Sequence, residues 1–122
     1  MMMTTVEMTK SAKTEFDDRI YEMQVRICKA FANTSRLRML DILAMHECSA
    51  SELQAKLNIS AANVSQHLAI LKAAGVVAAR RNGKQMICSL AIPEVKDACR
   101  MIRDVLRAQV RKDSKLVVGR LP

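Results

Sequence analysis

Apolar residues recur at intervals of three and four through the first part of the chain, switch to alternation just past Gly75, and return to helical spacing after Pro93. Phe16, Ile20, Met23, Ile27 and Phe31 fall on one face of a helix expected from Glu15 to about Ala32, and that face needs a partner. Asn33 is a good N-cap for a second helix, Thr34 to about Met45, which would turn Leu37, Leu40, Ile42 and Leu43 inward. After a connection over 46–50, a short third helix opens with Ser51 as cap, runs to about Leu57, and sets Leu53 and Leu57 one turn apart. Asn58 and Ile59 make a tight turn. Ser60 then caps a fourth helix to Ala74, with Val64, Leu68 and Leu71 facing the core and Gly75 ending it.

Val76 to Arg81 and Gln85 to Leu90 read as two strands of a hairpin turned around Asn82 and Gly83, residue types that tolerate positive φ. Pro93 opens a last helix to about Lys112. Its stripe of Val95, Cys99, Ile102, Leu106 and Val110 is long for a terminal helix on so small a protein, so burial against a second subunit is expected. The fold class is therefore mainly α with a small β-hairpin, a winged helix-turn-helix of four helices, two strands and a fifth helix. Residues 1–14 are polar and aperiodic and read as a flexible arm, 15–112 as one domain, and 113–122 as a tail.

Composition supports this. Half of the residues are apolar but only 2% are aromatic, a palette of Leu, Ile, Val, Met and Ala that favours packed helices. The net charge of +8 suits a polyanionic partner, nucleic acid or an anionic membrane surface, and its distribution narrows the choice. Between Leu53 and Pro93 there is no Asp or Glu, whereas Lys56, Lys72, Arg80, Arg81 and Lys84 are all present. No stretch approaches the roughly 18 apolar residues of a membrane span, and the polar start lacks the apolar core of a signal peptide, so a cytoplasmic location is expected. Cys28, Cys48, Cys88 and Cys99 contain no CxxC pair, which argues against a disulfide framework.

A short helix, a tight turn, a second helix with small polar residues and a basic hairpin thus follow in order. In a helix-turn-helix the second helix enters the major groove with its N-terminal residues at the base edges. Here those are Ala61, Ala62, Asn63, Ser65 and Gln66. Asn and Gln bond adenine bidentately, Ser bonds several bases or a phosphate, and Ala allows close approach. Ser60 and the helix N-terminus favour a phosphate oxygen. Arg80, Arg81 and Lys84 cluster at the hairpin tip, where a wing reaches the backbone or the minor groove.

The stretches AFANTSRLRMLDIL (30–43), SELQAKLNISAANVSQHLAILKAAGVV (51–77) and RRNGKQMICSL (80–90) resemble the ArsR/SmtB family of bacterial metal- and redox-responsive repressors. The resemblance covers about residues 16–112. It implies a homodimer paired through the first and last helices that binds a pseudo-palindromic operator in double-stranded DNA and blocks transcription until an effector releases it. It also carries the SxHL pattern onto Ser65, His67 and Leu68. His67 then either packs against its own domain, or contacts a phosphate, or links the recognition helix to the dimer core.

The family's two metal patterns are both broken. Ser49, Ala50, Ser51, Glu52 and Leu53 stand where a CVCDL-like run is expected, with Cys48 one position before; both thiolates of that run are missing. Asp97 and Cys99 match the spacing of a DxH pair on the last helix, but Val110 replaces the second histidine and Asp113 alone follows. Cys48 and Cys88 read as small core residues. Cys28 and Cys99 lie on the two helices expected at the dimer interface, where a thiol pair could take As(III) or another soft metal ion, or react with reactive sulfur or oxygen species. The alternatives are a regulator with no effector or with one that acts elsewhere than on cysteine, and a nonspecific nucleic-acid-binding winged-helix module. An enzyme is not indicated, since two histidines and no Gly-rich loop assemble no catalytic pattern.

Overall fold

The computed structural model describes residues 17–113. The elements are α1 (Asp18–Phe31), α2 (Thr34–Met45), β1 (Cys48–Ser49), α3 (Ala50–Leu57), α4 (Ala61–Ala73), β2 (Val77–Asn82), β3 (Gln85–Leu90) and α5 (Glu94–Lys112). The arm over 1–14 and residues 114–122 of the expected tail lie outside the described residues.

Side-chain caps set most helix starts, because the first N–H groups of a helix have no partner within it. The Asp17 carboxylate accepts from the N–H groups of Arg19 and Ile20, so α1 begins at Asp18 rather than near Glu15. Asn33 accepts from the N–H of Arg36 to open α2. Ser60 accepts from the N–H of Asn63 to open α4. The expected cap at Ser51 is displaced to Ser49. Ser49 Oγ accepts from the N–H of Glu52 at 3.1 Å, and the Glu52 carboxylate accepts from the N–H of Ser49 at 3.1 Å. This reciprocal capping box outcompetes a single hydroxyl, so Ser51 falls inside the first turn of α3. At the end of α3, Asn58 takes the left-handed conformation (φ 54°) that turns the chain toward α4.

Gly75, at φ +77°, ends α4 by a Schellman arrangement. Its N–H reaches the carbonyl of Lys72 at 2.9 Å and that of Val76 reaches Leu71 at 3.1 Å. The chain then enters a sheet of order β1-β3-β2, antiparallel throughout. The hairpin is shifted by one residue from expectation: Asn82 stays in β2 and pairs with Gln85, and the turn is Gly83–Lys84. Gly83 has φ +63° and Lys84 does not have positive φ, which suits a two-residue turn with glycine at its first central position. The strand β1, within the expected connection over 46–50, pairs Cys48 with Cys88 and Ser49 with Ile87.

The core lies where α2, α3 and α4 meet one face of this sheet. Leu40, Leu43, Leu53, Val64, Leu68 and Leu71 are buried there, with Cys48 and Cys88 at the sheet side. Leu37, expected to face inward, is 39% exposed, whereas Met39, absent from the expected inward set, is fully buried. The inward face of α2 is centred on Arg36, Leu40 and Leu43, spaced at helical intervals, and Leu37 falls at its margin. The Arg103 guanidinium donates to the Asp41 carboxylate and ties α5 to α2.

Candidate nucleic-acid interface

Val64, Leu68 and Leu71 anchor α4 through one side, which leaves Ala61, Ala62, Asn63, Ser65 and Gln66 exposed together on the other. Ser60, also exposed, holds the N–H of Asn63 at 3.1 Å. No acidic residue stands in α4 or the hairpin, so the face carries only neutral polar groups and cations. Small exposed residues at the start of the helix let its backbone approach a base edge or phosphate closely.

The strand register separates the two wing arginines. Val77, Ala79 and Arg81 share one face of β2 with their partners Leu90, Cys88 and Met86. Ala79 and Met86 line a cleft of about 390 Å³ together with Ser65 and Lys72 of α4 and Ser51 and Gln54 of α3. Arg81 therefore emerges on the side of the recognition helix. Arg80 belongs to the opposite face, where its guanidinium donates two bonds, at 2.8 and 2.9 Å, to the two carboxylate oxygens of Glu47. The bond from Arg80 holds the Glu47 carboxyl below its ordinary pKa. Lys84 stands exposed in the turn at the tip. Of the expected wing cations, Arg81 is thus presented on the side of α4 and Lys84 at the tip, whereas Arg80 braces the wing against the segment between α2 and β1.

His67 is joined to the rest of the protein by a residue that sequence reasoning missed. Arg36, at the start of α2, donates through Nε to the carbonyl of Ala30 at 2.7 Å and through Nη2 to that of Lys29 at 3.0 Å. Its Nη1 lies 3.2 Å from His67 Nδ1. A guanidinium only donates, so Nδ1 is the acceptor and the imidazole proton sits on Nε2. Burial and then the Arg36 charge push the His67 pKa below the usual histidine value, in keeping with this neutral form. One side chain thereby clamps the C-terminal end of α1 to the recognition helix. The signal for it was an arginine spaced four and seven residues from Leu40 and Leu43, hence on the inward face of its helix.

Residues 33–79 match the profile of the family described as bacterial regulatory protein, arsR family. An HTH-type transcriptional regulator of Mycobacterium tuberculosis, Rv0081, is 36% identical over 100 residues, which cover 81% of this chain and 87% of that one. The chain belongs to the ArsR family. The crystal structure of Rv0081 superposes with a TM-score of 0.72 at 35% identity, covering 82% of this chain and all of that one. The winged helix-turn-helix domain of Mb0332 from Mycobacterium bovis, a homodimer in solution, superposes with the same score of 0.72 at 27% identity, over 79% of this chain and 92% of that one. A probable mercury resistance operon repressor of Streptomyces lividans is 35% identical over 78 residues, 64% of this chain and 62% of that one. This ArsR-family chain is accordingly a transcriptional regulator of the winged helix-turn-helix type.

Two apolar surfaces are left uncovered in the single chain. Ile20, Tyr21, Met23, Val25 and Ile27 are exposed along α1, and Met101, Ile102, Val105 and Leu106 along α5. Val95 and Val110, from the same expected stripe of α5, are buried within the protomer. The cysteines divide similarly: Cys28 is exposed on α1, Cys99 is half-buried and packs toward α2 near Asp41 and Arg103, and Cys48 and Cys88 are buried. Among the described residues no group of three His, Cys, Asp or Glu side chains is placed to hold a metal ion, and no helix is long and apolar enough to cross a membrane.

Proposed function

We propose that this ArsR-family protein is a cytoplasmic repressor that binds a pseudo-palindromic operator as a homodimer. The observation that carries the reading is the joint presentation, on one side of the domain, of the exposed Asn63, Ser65 and Gln66 and of Arg81 from the wing. Ala61 and Ala62 give close approach, Ser60 takes a phosphate, and His67, held through Nδ1 by Arg36, keeps its Nε2 proton for a phosphate. Arg81 and Lys84 hold the backbone beside the groove, and Arg80 orients the wing through Glu47. The uncovered faces of α1 and α5 are the dimer surfaces. A protomer with nine large apolar side chains exposed on two helices gains from covering them, and the M. bovis domain of the same fold is a homodimer.

The effector is a metal(loid) ion such as As(III), or a thiol-reactive sulfur or oxygen species, acting at Cys28 and Cys99. Support comes from the access to Cys28 on α1, from the position of Cys99 on α5 facing α2, and from one relative named as a probable mercury resistance operon repressor. The test is a gel shift with the protein's own promoter against random duplex over a salt series, then with each effector and with Cys28→Ser and Cys99→Ser. Specific retention of the promoter at higher salt is expected, with Gln66→Ala losing about 1–3 kcal/mol there and discriminating less between sequences. Equal affinity for both duplexes would sink the repressor reading. An effector response unchanged in both serine variants would sink the cysteine assignment.

A further inference from the structure

We propose that Cys48 and Cys88 form a two-thiolate site for a soft d¹⁰ cation such as Cu(I), at the root of the wing and separate from Cys28 and Cys99. The site goes beyond the operator-binding reading and does not depend on it.

The register carries the inference. Cys48 and Cys88 are direct partners across the antiparallel β1–β3 ladder, so both side chains leave the sheet on the same face. Both are buried, at 1% and 0% exposure, and both are free thiols. Directly opposite side chains have Cβ atoms about 4.5–5.5 Å apart. A metal–thiolate bond is about 2.3 Å, as for zinc, so an ion held in line between two sulfurs needs them about 4.6 Å apart, which this spacing allows. A disulfide prefers a shorter Cβ separation, about 3.5–4.5 Å, so the strand geometry favours an inserted ion over an S–S bond.

The surroundings suit a soft ion that is satisfied by two ligands. Zinc asks for four, and among the described residues no group of three His, Cys, Asp or Glu side chains is placed to hold an ion; His46 touches Cys48 but turns an N–H, not a lone pair, toward it. Thiolate ligands select Cu(I) over harder ions. Binding is the exchange of two thiol protons for one cation, 2 RSH + M⁺ → [M(SR)₂]⁻ + 2 H⁺, with no change of oxidation state. Two cations face the negative product, Lys56 near Cys48 and Lys72 near Cys88, and the Glu52 carboxylate also stands near Cys48. His46 Nδ1 lies 2.9 Å from the carbonyl of Glu47, which only accepts, so this nitrogen carries a proton. The same N–H is 3.5 Å from Cys48 Sγ, while the Cys48 thiol donates to the His46 carbonyl at 3.7 Å, a bond given up when the ion replaces the proton. Entry needs only local opening of β1, a two-residue strand at the edge of its sheet.

The experiment is an anaerobic titration of the full chain carrying Cys28→Ser and Cys99→Ser with Cu(I), against a chromogenic Cu(I) chelator. Operator DNA is absent, so the outcome is independent of the repressor reading. One ion withheld per protomer is expected. Adding Cys48→Val or Cys88→Val, near-isosteric apolar changes that keep the core filled, should each weaken retention by about a hundredfold or more, beyond the loss typical of an outer-shell change. Zn(II) should not be retained comparably. Alkylation followed by peptide mapping of the unsubstituted chain needs no variant. It should find Cys48 and Cys88 protected together by the ion. Retention unchanged in either valine variant, equal retention of Zn(II), no retained Cu(I), or protection of only one of the two cysteines would overturn the site.

Discussion

Replacing Arg36 with alanine removes the clamp that joins the end of α1 to the recognition helix, and its cost follows from the bonds it makes. Two of them satisfy the carbonyls of Ala30 and Lys29, at 2.7 and 3.0 Å, and the third rests on His67 at 3.2 Å. Ala30 is fully buried, so water replaces that bond poorly, whereas the Lys29 carbonyl is exposed and also accepts from the N–H of Ala32 at 3.1 Å. At about 1 kcal/mol for each of the two part-buried bonds, to the Ala30 carbonyl and to His67, raised by the charge of the donor, the expected destabilisation is about 2–3 kcal/mol. Urea unfolding measures it. The second readout is the imidazole itself, followed by NMR titration. Without the Arg36 cation the His67 pKa should move up toward the ordinary histidine value, by the part of its depression that the charge causes. The sign for stability follows. A histidine depressed in the folded state is fully stabilising above its unfolded pKa of about 6.5, and stability falls as pH drops below that value toward the folded pKa. Arg36→Ala should flatten this acid-side slope. Arg36→Lys keeps a charge but not the fork, so it should restore the slope better than the stability. A loss below about 0.5 kcal/mol together with an unmoved His67 pKa would refute the clamp.

Three other outcomes are expected. Arg81→Ala should weaken binding to all duplexes alike and lower the salt slope by about one, whereas Arg80→Ala, whose guanidinium is held by Glu47, should change the slope little; equal slopes for both would contradict the register argument. Ser49→Ala breaks the capping box of α3 and should cost about 1 kcal/mol in thermal or urea unfolding, while Ser51→Ala, inside the helix, should cost a few tenths at most. Ile102→Glu combined with Leu106→Glu places charge on the uncovered face of α5 and should give a monomer in sedimentation, with the far-UV helix signal preserved.

Much of this protein was legible from one strand of reasoning about period and punctuation. The helical spacing of Val64, Leu68 and Leu71, the cap at Ser60 and the stop at Gly75 define α4, because these are local effects that act within a turn or two of chain. The exposed Asn63, Ser65 and Gln66 then follow as the remainder of the same helix. Where two local signals competed, the stronger partner decided: Glu52 selects Ser49 over Ser51, a preference that the S-x-x-E spacing already held. The hairpin was likewise legible in existence but not in register, since Asn82 and Lys84 are both tolerable in a turn and strand pairing chooses between them.

What the chain order alone does not determine is which distant residues meet. β1 is two residues long, too short for any alternation to show, and it exists because Cys48 and Ser49 find Cys88 and Ile87 some forty positions later. That pairing decides that Cys48 faces Cys88. It also shares β3 with β2, whose pleat sends Arg80 and Arg81 to opposite faces and so gives two adjacent cations different work. Arg36 reaches His67 across 31 positions for the same reason: packing of α2 against α4 brings together groups that no local period links. The sequence by itself determined the helices, the basic hairpin and the polar face between them, because helix and turn formation are governed by near neighbours. Only the tertiary structure decided which cysteines face each other across the sheet, which arginine Glu47 holds and how α4 is tied to α1, because those are consequences of burial and register between segments far apart in the chain.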